Sequence, residues 1–157
     1  MPLSFDTRPA AYAVIVKDHQ ILLAYWSENG QEGWTMPGGG LDLGEHPVDG
    51  AIREVFEETG YHARVTRMLG IDVMFWPTDE RAEASAASEK PFESLRFLYQ
   101  ASITGGELTA EQDGTTTHAA WIPLEEVASL NRVSLVDIAI KLWLQKPDDG
   151  KLLDFRL

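Results

Sequence analysis

The chain has 157 residues, 44% of them hydrophobic, and this length and composition predict a single packed domain over residues 1–157. It contains no cysteine, which excludes disulfides, thiolate metal sites and cysteine-nucleophile mechanisms, and no apolar run of the ~20 residues that a membrane-spanning helix needs. The net charge of −12 argues against a long nucleic acid as partner, and it would repel a small anionic substrate unless cations lay between the two. We expect a cytoplasmic protein with neither a secretory signal nor a membrane partner.

The first forty residues predict a β-hairpin that leads into a glycine-rich segment. Residues 12–16 and 21–26 are two apolar runs separated by four polar residues, which is the pattern of a hairpin. A polar loop over residues 27–33 and a short extended piece at residues 34–36 follow. Pro37 and the three glycines after it interrupt the strand pattern, so we expect a loop whose backbone can approach a ligand closely.

A helix is predicted over residues 47–59. His46 stands at its N-cap position, Pro47 lies in the first turn, where a missing N–H costs nothing, and Gly60 ends the helix. Gly50 is a weak spot that costs up to ~1 kcal/mol relative to alanine. Apolar residues at helical spacing predict one buried stripe, formed by Val48, Ile52, Val55, Phe56 and Thr59.

The second half of the chain alternates strands and helices. The predicted elements, in chain order, are a strand at residues 64–75 bent at Gly70, a loop at 77–91, a strand at 95–103, a turn at 104–106, a strand at 115–122 and a short helix after Pro123. A last helix is predicted to be capped by Ser134, with one apolar face formed by Leu135, Ile138, Ala139 and Leu142. This order predicts an α/β layered domain with a mixed sheet.

Three glutamates of the first helix form a cluster of like charges. Glu54, Glu57 and Glu58 stand at i, i+3 and i+4, so they share one helix face, opposite the apolar stripe. Like charges at this spacing destabilise a helix by roughly a few tenths of a kcal/mol per pair, and a bound cation removes that conflict. Carboxylate oxygens suit Mg²⁺ or Mn²⁺, and Glu45 is placed to join them. The alternative is a solvated acidic face with Arg53 as its ion-pair partner.

The segment from residue 39 to residue 61 decides between these interpretations. Its spaced residues are Gly39, Glu45, Arg53, Glu54, Glu57, Glu58 and Gly60. They resemble the Nudix box, G-x5-E-x7-R-E-U-x-E-E-x-G-U, in which U is a bulky apolar residue and Tyr61 takes the final U position. All fixed residues match, and with average residue frequencies a chance match has a probability of roughly one in 10⁸ to 10⁹ per placement.

The resemblance implies the Nudix fold, an α/β/α sandwich with a central mixed β-sheet, and a loop–helix–loop that binds Mg²⁺ or Mn²⁺. The implied metal ligands are Glu54, Glu57, Glu58, Glu45 (as a secondary ligand or orienting group) and the carbonyl of Gly39 or Gly40. Arg53 would hold a carboxylate in place through its fork of donors. The family includes homodimers, which this chain could also form.

The implied reaction is hydrolysis of a diphosphate bond in a small nucleotide-like substrate, a nucleoside diphosphate linked to another moiety. Metal ions would neutralise the phosphate oxygens and lower the pKa of a water, which attacks phosphorus. Arg53, Glu54 and Glu57 are the expected catalytic residues.

The general base and the substrate-binding residues stay open at this point. A box glutamate, Glu93 or Glu111 could accept the proton, and so could His118, although a histidine in a strand is more often structural. Aromatic residues near strand ends could stack on a nucleobase, although each is more often part of the core: Trp26, Phe75 and Trp76.

The alternative function is a non-catalytic Nudix-fold module that senses or binds a nucleotide. Such modules often lose box glutamates, and all of them are present here. Two related functions fit less well. Isomerases of isopentenyl diphosphate rely on a catalytic cysteine, which this chain lacks, and the base-reading domain of some DNA glycosylases is disfavoured by the intact box and the acidic charge.

Overall fold

The computed structural model describes residues 1–78, 89–109 and 116–153. The strands in these ranges are β1 (Asp6–Thr7), β2 (Ala10–Val14), β3 (Val16–Lys17), β4 (Gln20–Glu28), β5 (Gln31–Thr35), β6 (Gly38–Gly40), β7 (Tyr61–Trp76), β8 (Phe92–Gly106) and β9 (Thr116–Pro123). The helices are α1 (Pro47–Thr59), a 3-10 helix (Leu124–Ser129) and α2 (Ser134–Gln145).

Strand β8 is the centre of the larger sheet, which contains five strands of the described residues. It runs parallel to β1 and β2 on one side and antiparallel to β7 on the other, while β6 pairs antiparallel with β2. The smaller sheet is antiparallel throughout, with β4 paired to β3, β5 and β9. The predicted mixed sheet is therefore confirmed.

Helices α1 and α2 cover opposite faces of the larger sheet. Along β2, Ala13 packs in a cluster with Val55 of α1, whereas its neighbour Val14 packs in a cluster with Leu135 and Leu142 of α2. Successive side chains of a strand point to opposite faces, so this division places one helix on each side. The arrangement confirms the predicted α/β/α sandwich.

Helix α1 begins and ends at the predicted residues. The Nδ1 atom of His46 accepts a hydrogen bond from the Val48 amide (3.1 Å), and Gly60 ends the helix in the left-handed region at a φ of 80°. The predicted burial of one residue of the apolar stripe was wrong: Phe56 is 48% exposed and stacks on His62. Ala51, which has no exposed surface, takes the buried position instead, because it lies directly under the sheet.

Two strand predictions near the N-terminus were wrong in detail. Residues 12–16 do not form one strand, because the chain leaves the larger sheet after Val14 and enters the smaller one at Val16. The hairpin that follows turns at Asp18 and His19, both with positive φ, which is the geometry of a two-residue type I′ turn. The glycines predicted as a loop form the strand β6, at the edge of the larger sheet.

Three further differences lie in the second half of the chain. Residues 104–106 are the end of β8 rather than a turn, since Gly105 and Gly106 pair with the first two residues of β7. Ser134 is the first residue of α2, not its cap, and the N-cap residue Val133 offers no side-chain hydrogen bond. Most of the predicted 77–91 loop lies outside the described residues. Within the described ranges, the helices are too short or too polar to span a membrane.

Candidate active site

The guanidinium of Arg53 lies at the centre of a cluster formed by the carboxylates of the Nudix-box segment. Its Nε and Nη2 atoms donate to the two oxygens of Glu45 at 2.8 and 2.9 Å. Its Nη1 atom donates to Glu54 at 3.0 Å and to Glu57 at 3.2 Å, and Nη2 also reaches the carbonyl of Gly40 at 3.2 Å. One planar fork therefore fixes three carboxylates relative to the backbone before the helix.

This pairing changes the acid–base behaviour of Glu45 and Arg53. The hydrogen bond from Arg53 lowers the pKa of Glu45 from 4.5 to about 2, and the amide of Asp42 adds a further donor. The same contact raises the pKa of Arg53 further above its ordinary value. Both groups consequently stay charged across the physiological range. Because Glu45, Glu54 and Glu57 surround a single guanidinium, the cluster keeps an excess of negative charge that attracts cations.

Glycines of β6 bring the backbone close to the other box glutamates. Glu58 is only 7% exposed, and its Oε2 accepts a hydrogen bond from the amide of Gly38 at 3.0 Å. A Cβ atom added to Gly39 would lie 3.0 Å from the carboxyl carbon of Glu54. A side chain at residue 39 would therefore press on that carboxylate, which explains the glycine at this position.

The carboxyl group of Glu58 reaches a cleft of about 740 Å³ on the side of the sheet covered by α2. The residues that line the cleft include Arg8 from the link between β1 and β2, Tyr12 of β2, Trp26 and Glu28 of β4, Met74 and Trp76 of β7, Arg96 of β8 and Ser134 of α2. It is large enough for a nucleotide-sized ligand, since small-molecule sites commonly measure roughly 300–1,000 Å³.

The structure brings all six predicted site residues into one region: Gly39, Glu45, Arg53, Glu54, Glu57 and Glu58. Their donor chemistry fits Mg²⁺ or Mn²⁺, because the side-chain donors are all hard carboxylate oxygens. Within the described residues, no three acidic or histidine side chains converge in the geometry of a preformed metal cage. In the arrangement shown, these carboxylates accept hydrogen bonds from Arg53 and from the Gly38 amide.

The residues outside the box divide into those that line the cleft and those that do not. Trp26 and Trp76 line it, whereas Phe75 is 65% exposed and does not contribute to its lining. Glu93 alternates along β8 with the cleft-lining Arg96, so it belongs to the opposite face of the sheet. His118 stacks on Tyr25 with a centroid distance of 4.9 Å, in an aromatic group on β4 and β9. Glu111 lies outside the described residues.

Sequence reasoning missed three charged residues of the cleft region: Arg8, Asp72 and Arg96. Arg96 is 5% exposed and forms an ion pair with Asp72, its register partner on β7. A signal was present, because an arginine within the apolar run 95–103 and an aspartate within the run 64–75 suggest a paired charge between adjacent strands. Arg8 gave no comparable signal, since it precedes the first recognisable strand.

The fold is shared with solved structures. A NUDIX hydrolase from Nitrosomonas europaea superposes with a TM-score of 0.71 and 24% sequence identity, covering 96% of this chain and 97% of that one. At this level of identity the likeness establishes the Nudix fold.

The NUDIX domain family model matches residues 6–144, so the chain belongs to the Nudix family. Two similar proteins come from Bacillus subtilis (strain 168). One, named "Putative 8-oxo-dGTP diphosphatase", is 33% identical over 112 residues, which cover 71% of this chain and 62% of that protein. The other, named "Putative ADP-ribose pyrophosphatase", is 26% identical over 152 residues, covering 95% of this chain and 65% of that protein. The chain thus spans somewhat less than two thirds of the length of these relatives.

Proposed function

We propose that this chain is a divalent-metal-dependent pyrophosphohydrolase that cleaves the phosphoanhydride bond of a nucleoside diphosphate linked to another moiety. The observation that carries the proposal is the placement of Glu54 and Glu58 against the glycine strand β6, beside a nucleotide-sized cleft. The names of both Bacillus subtilis relatives support it, because each describes cleavage of a diphosphate bond in a nucleotide. In this proposal residues 1–157 form one domain that carries both the box and the cleft.

Glu54, Glu57 and Glu58 would hold Mg²⁺ or Mn²⁺, with Glu45 and the carbonyl of Gly39 as further ligands. When bound, the metal would supply charge neutralisation on the diphosphate and a lower pKa of the attacking water. A chain with a net charge of −12 needs such a cation to bring a diphosphate against its own carboxylates.

Arg53 would act by positioning. Its fork fixes the carboxylate planes of Glu45 and Glu54, so that these groups need not reorganise when the substrate enters. Loss of such a supporting contact typically lowers activity or metal affinity about 10- to 100-fold.

In this mechanism, water attacks one phosphorus of the diphosphate, and the bridging oxygen leaves with the other phosphate. A box glutamate would accept the proton from the water, because Glu93 and His118 do not line the cleft. Trp26 and Trp76 would offer flat surfaces for the nucleobase, as aromatic side chains of a cleft commonly do.

The test is a phosphate-release screen over nucleoside triphosphates, ADP-ribose, dinucleotides and nucleotide sugars, with Mg²⁺ and Mn²⁺. We expect metal-dependent turnover of at least one class, and we expect Glu57→Gln and Glu58→Gln each to lower kcat by at least ~10²-fold. Glu126→Gln is the matched control, because Glu126 is exposed on the 3-10 helix and lines no part of the cleft. A folded wild-type protein that turned over no substrate, or variants with unchanged kcat, would overturn the proposal.

A further inference from the structure

Arg8 is a cation of the cleft region that has no carboxylate partner among the described residues. The ion pairs of the described residues that involve cleft or box arginines are those of Arg53 and Arg96, and the side chain of Arg8 has none within these ranges. Arg96, in contrast, is buried and neutralised by Asp72. In a chain with a net charge of −12, a guanidinium that lines a cleft and has no ion-pair partner in the described part of the chain marks a place suited to an anion.

The guanidinium of Arg8 lies against strand β6. A Cβ atom added to Gly40 would lie 2.1 Å from its Cζ atom, so the group lies directly against the bare backbone of β6. The backbone of Arg8 is also fixed, because its amide donates to the Glu93 carbonyl at 3.3 Å and its own carbonyl accepts from the Ser94 hydroxyl at 2.9 Å. The backbone of Arg8 is therefore held at the sheet, while its side chain, in a residue that is exposed overall, lies against β6.

A side pocket of about 170 Å³ adjoins the cleft at this point; its lining includes Arg8, Tyr12, Trp76, Phe92, Ser94 and Arg96. Among the described residues, this lining contains two arginines and no carboxylate. A cavity of roughly 150 Å³ holds one benzene-sized group, so the side pocket matches one phosphate with its nearest waters rather than a whole nucleoside.

Tyr12 supplies a neutral donor between the two charged regions. Its side chain lines the cleft together with Glu58, and it lines the side pocket together with Arg8 and Arg96. A neutral phenol has one O–H donor that it can offer to an anion. It forms no hydrogen bond with another side chain of the described residues, which leaves this donor available in the cleft.

We propose that Arg8, with Tyr12 and Arg96 beside it, binds a phosphate group of the substrate that lies outside the diphosphate cleaved at the box carboxylates. This inference rests on the proposed function and deepens it. The phosphate contact made by Arg8 would favour substrates with a third phosphate, such as nucleoside triphosphates, over substrates in which the diphosphate joins two uncharged sugars. The guanidinium presents paired donors that match two oxygens of one phosphate.

The test compares ATP with ADP-ribose, which share the nucleoside and the diphosphate but differ in the terminal phosphate. Arg8→Gln should lower kcat/KM for ATP about 10- to 100-fold relative to that for ADP-ribose, mostly through KM, because a charge-assisted contact to the ground state is lost. Arg8→Lys should restore part of the loss. Gly40→Ala should imitate Arg8→Gln, since the new methyl group displaces the guanidinium without removing its charge.

Arg64→Gln is the matched control. Arg64 is exposed on β7 and lines neither the cleft nor the side pocket, so the same loss of charge there should leave the preference for ATP unchanged. If Arg8→Gln changes the two substrates equally, or if Arg64→Gln changes the preference as much as Arg8→Gln does, the third-phosphate inference is wrong.

A second measurement separates this inference from the proposed function. Calorimetric binding of a non-hydrolysable ATP analogue in the presence of Mg²⁺ reports on the side pocket without requiring turnover. Weaker binding of the analogue by Arg8→Gln in a protein that hydrolyses nothing would support the pocket and contradict the hydrolase. Hydrolysis of ADP-ribose with equal binding of the analogue by wild type and Arg8→Gln would support the hydrolase and contradict the pocket.

Discussion

Arg53 shows how one residue can organise an anionic site. A lysine in its place would supply the same charge at a single point. The planar guanidinium of arginine instead donates hydrogen bonds to Glu45, Glu54 and Glu57 in different directions at once. The sequence signature identified Arg53 as a holder of one carboxylate, and the structure shows hydrogen bonds to three, with Asp42 as a more distant ion-pair partner at 3.6 Å. These additional contacts form because residues 40–45 fold over the helix. The spacing of residues along the helix does not predict that fold.

The Arg53–Glu45 pair makes stability depend on acid pH. The pKa of Glu45 is about 2 when folded and 4.5 ordinarily, so the pair stabilises the fold fully above pH 4.5 and loses this contribution as the pH falls toward 2. We expect the difference in free energy of unfolding between wild type and Glu45→Gln to shrink over this window. Urea unfolding in a chelating buffer between pH 3 and pH 7 measures it. A difference that stays constant with pH would show that Glu45 is not held in its charged form.

A substitution at Gly39 tests whether catalysis depends on the position of the Glu54 carboxylate. In Gly39→Ala, the new methyl group would lie 3.0 Å from the carboxyl carbon of Glu54 and would push it from its position. We expect kcat at saturating Mn²⁺ to fall about tenfold or more, since small displacements of catalytic groups are costly. Gly105→Ala is the control, because its methyl group meets only a His62 ring carbon at 3.9 Å. Equal kcat in both variants would remove Glu54 from the proposed site.

At the scale of elements, helix α1 was the most predictable part of the fold. His46, Pro47 and Gly60 are local signals, and each takes its predicted place at a helix end. The division of residues 12–16 between two sheets was not predictable, because Val14 and Val16 are equally apolar and only their distant partners separate them. Strand β6 was missed for the same reason: glycines carry little strand preference, and pairing with β2 alone makes them a strand.

Gly50 shows how packing can override helix propensity. By propensity alone, Gly50→Ala should stabilise α1 by up to ~1 kcal/mol. In the structure, however, its Cβ atom would lie 2.3 Å from Leu41 Cδ2 and 2.9 Å from Glu45 Oε1. We therefore expect Gly50→Ala to lower the free energy of unfolding by about 1 kcal/mol, the lower range for an overpacked site.

A double-mutant cycle with Leu41→Ala tests this explanation by urea unfolding. Removing the Leu41 side chain should relieve the nearer contact, so Gly50→Ala should be less destabilising in that background. If Gly50→Ala stabilises the wild-type protein, or costs the same in both backgrounds, the close packing of the segment 41–45 on α1 is not what requires glycine.

At the scale of the whole molecule, the cleft is a product of long-range assembly. Arg8 and Ser94 are 86 residues apart in sequence and are joined by one hydrogen bond, and Ser134 comes from a third region again. The box could be predicted because its residues are neighbours on one loop and helix. The rest of the cleft could not, since its residues acquire a common environment only when β2, β7, β8 and α2 meet.

The net charge of −12 and the carboxylate cluster lead to a prediction about the stability of the whole fold. A metal that binds only the folded state at 100 times its Kd adds about 2.7 kcal/mol to the free energy of unfolding. For a domain of this size that corresponds to a rise in Tm of roughly 5–10 °C. Calorimetric melting with Mn²⁺, and with NaCl at matched ionic strength, separates specific binding from screening. The rise should be specific to Mn²⁺ and largely lost in Glu58→Gln; an equal rise in both proteins would place the binding elsewhere on the acidic surface.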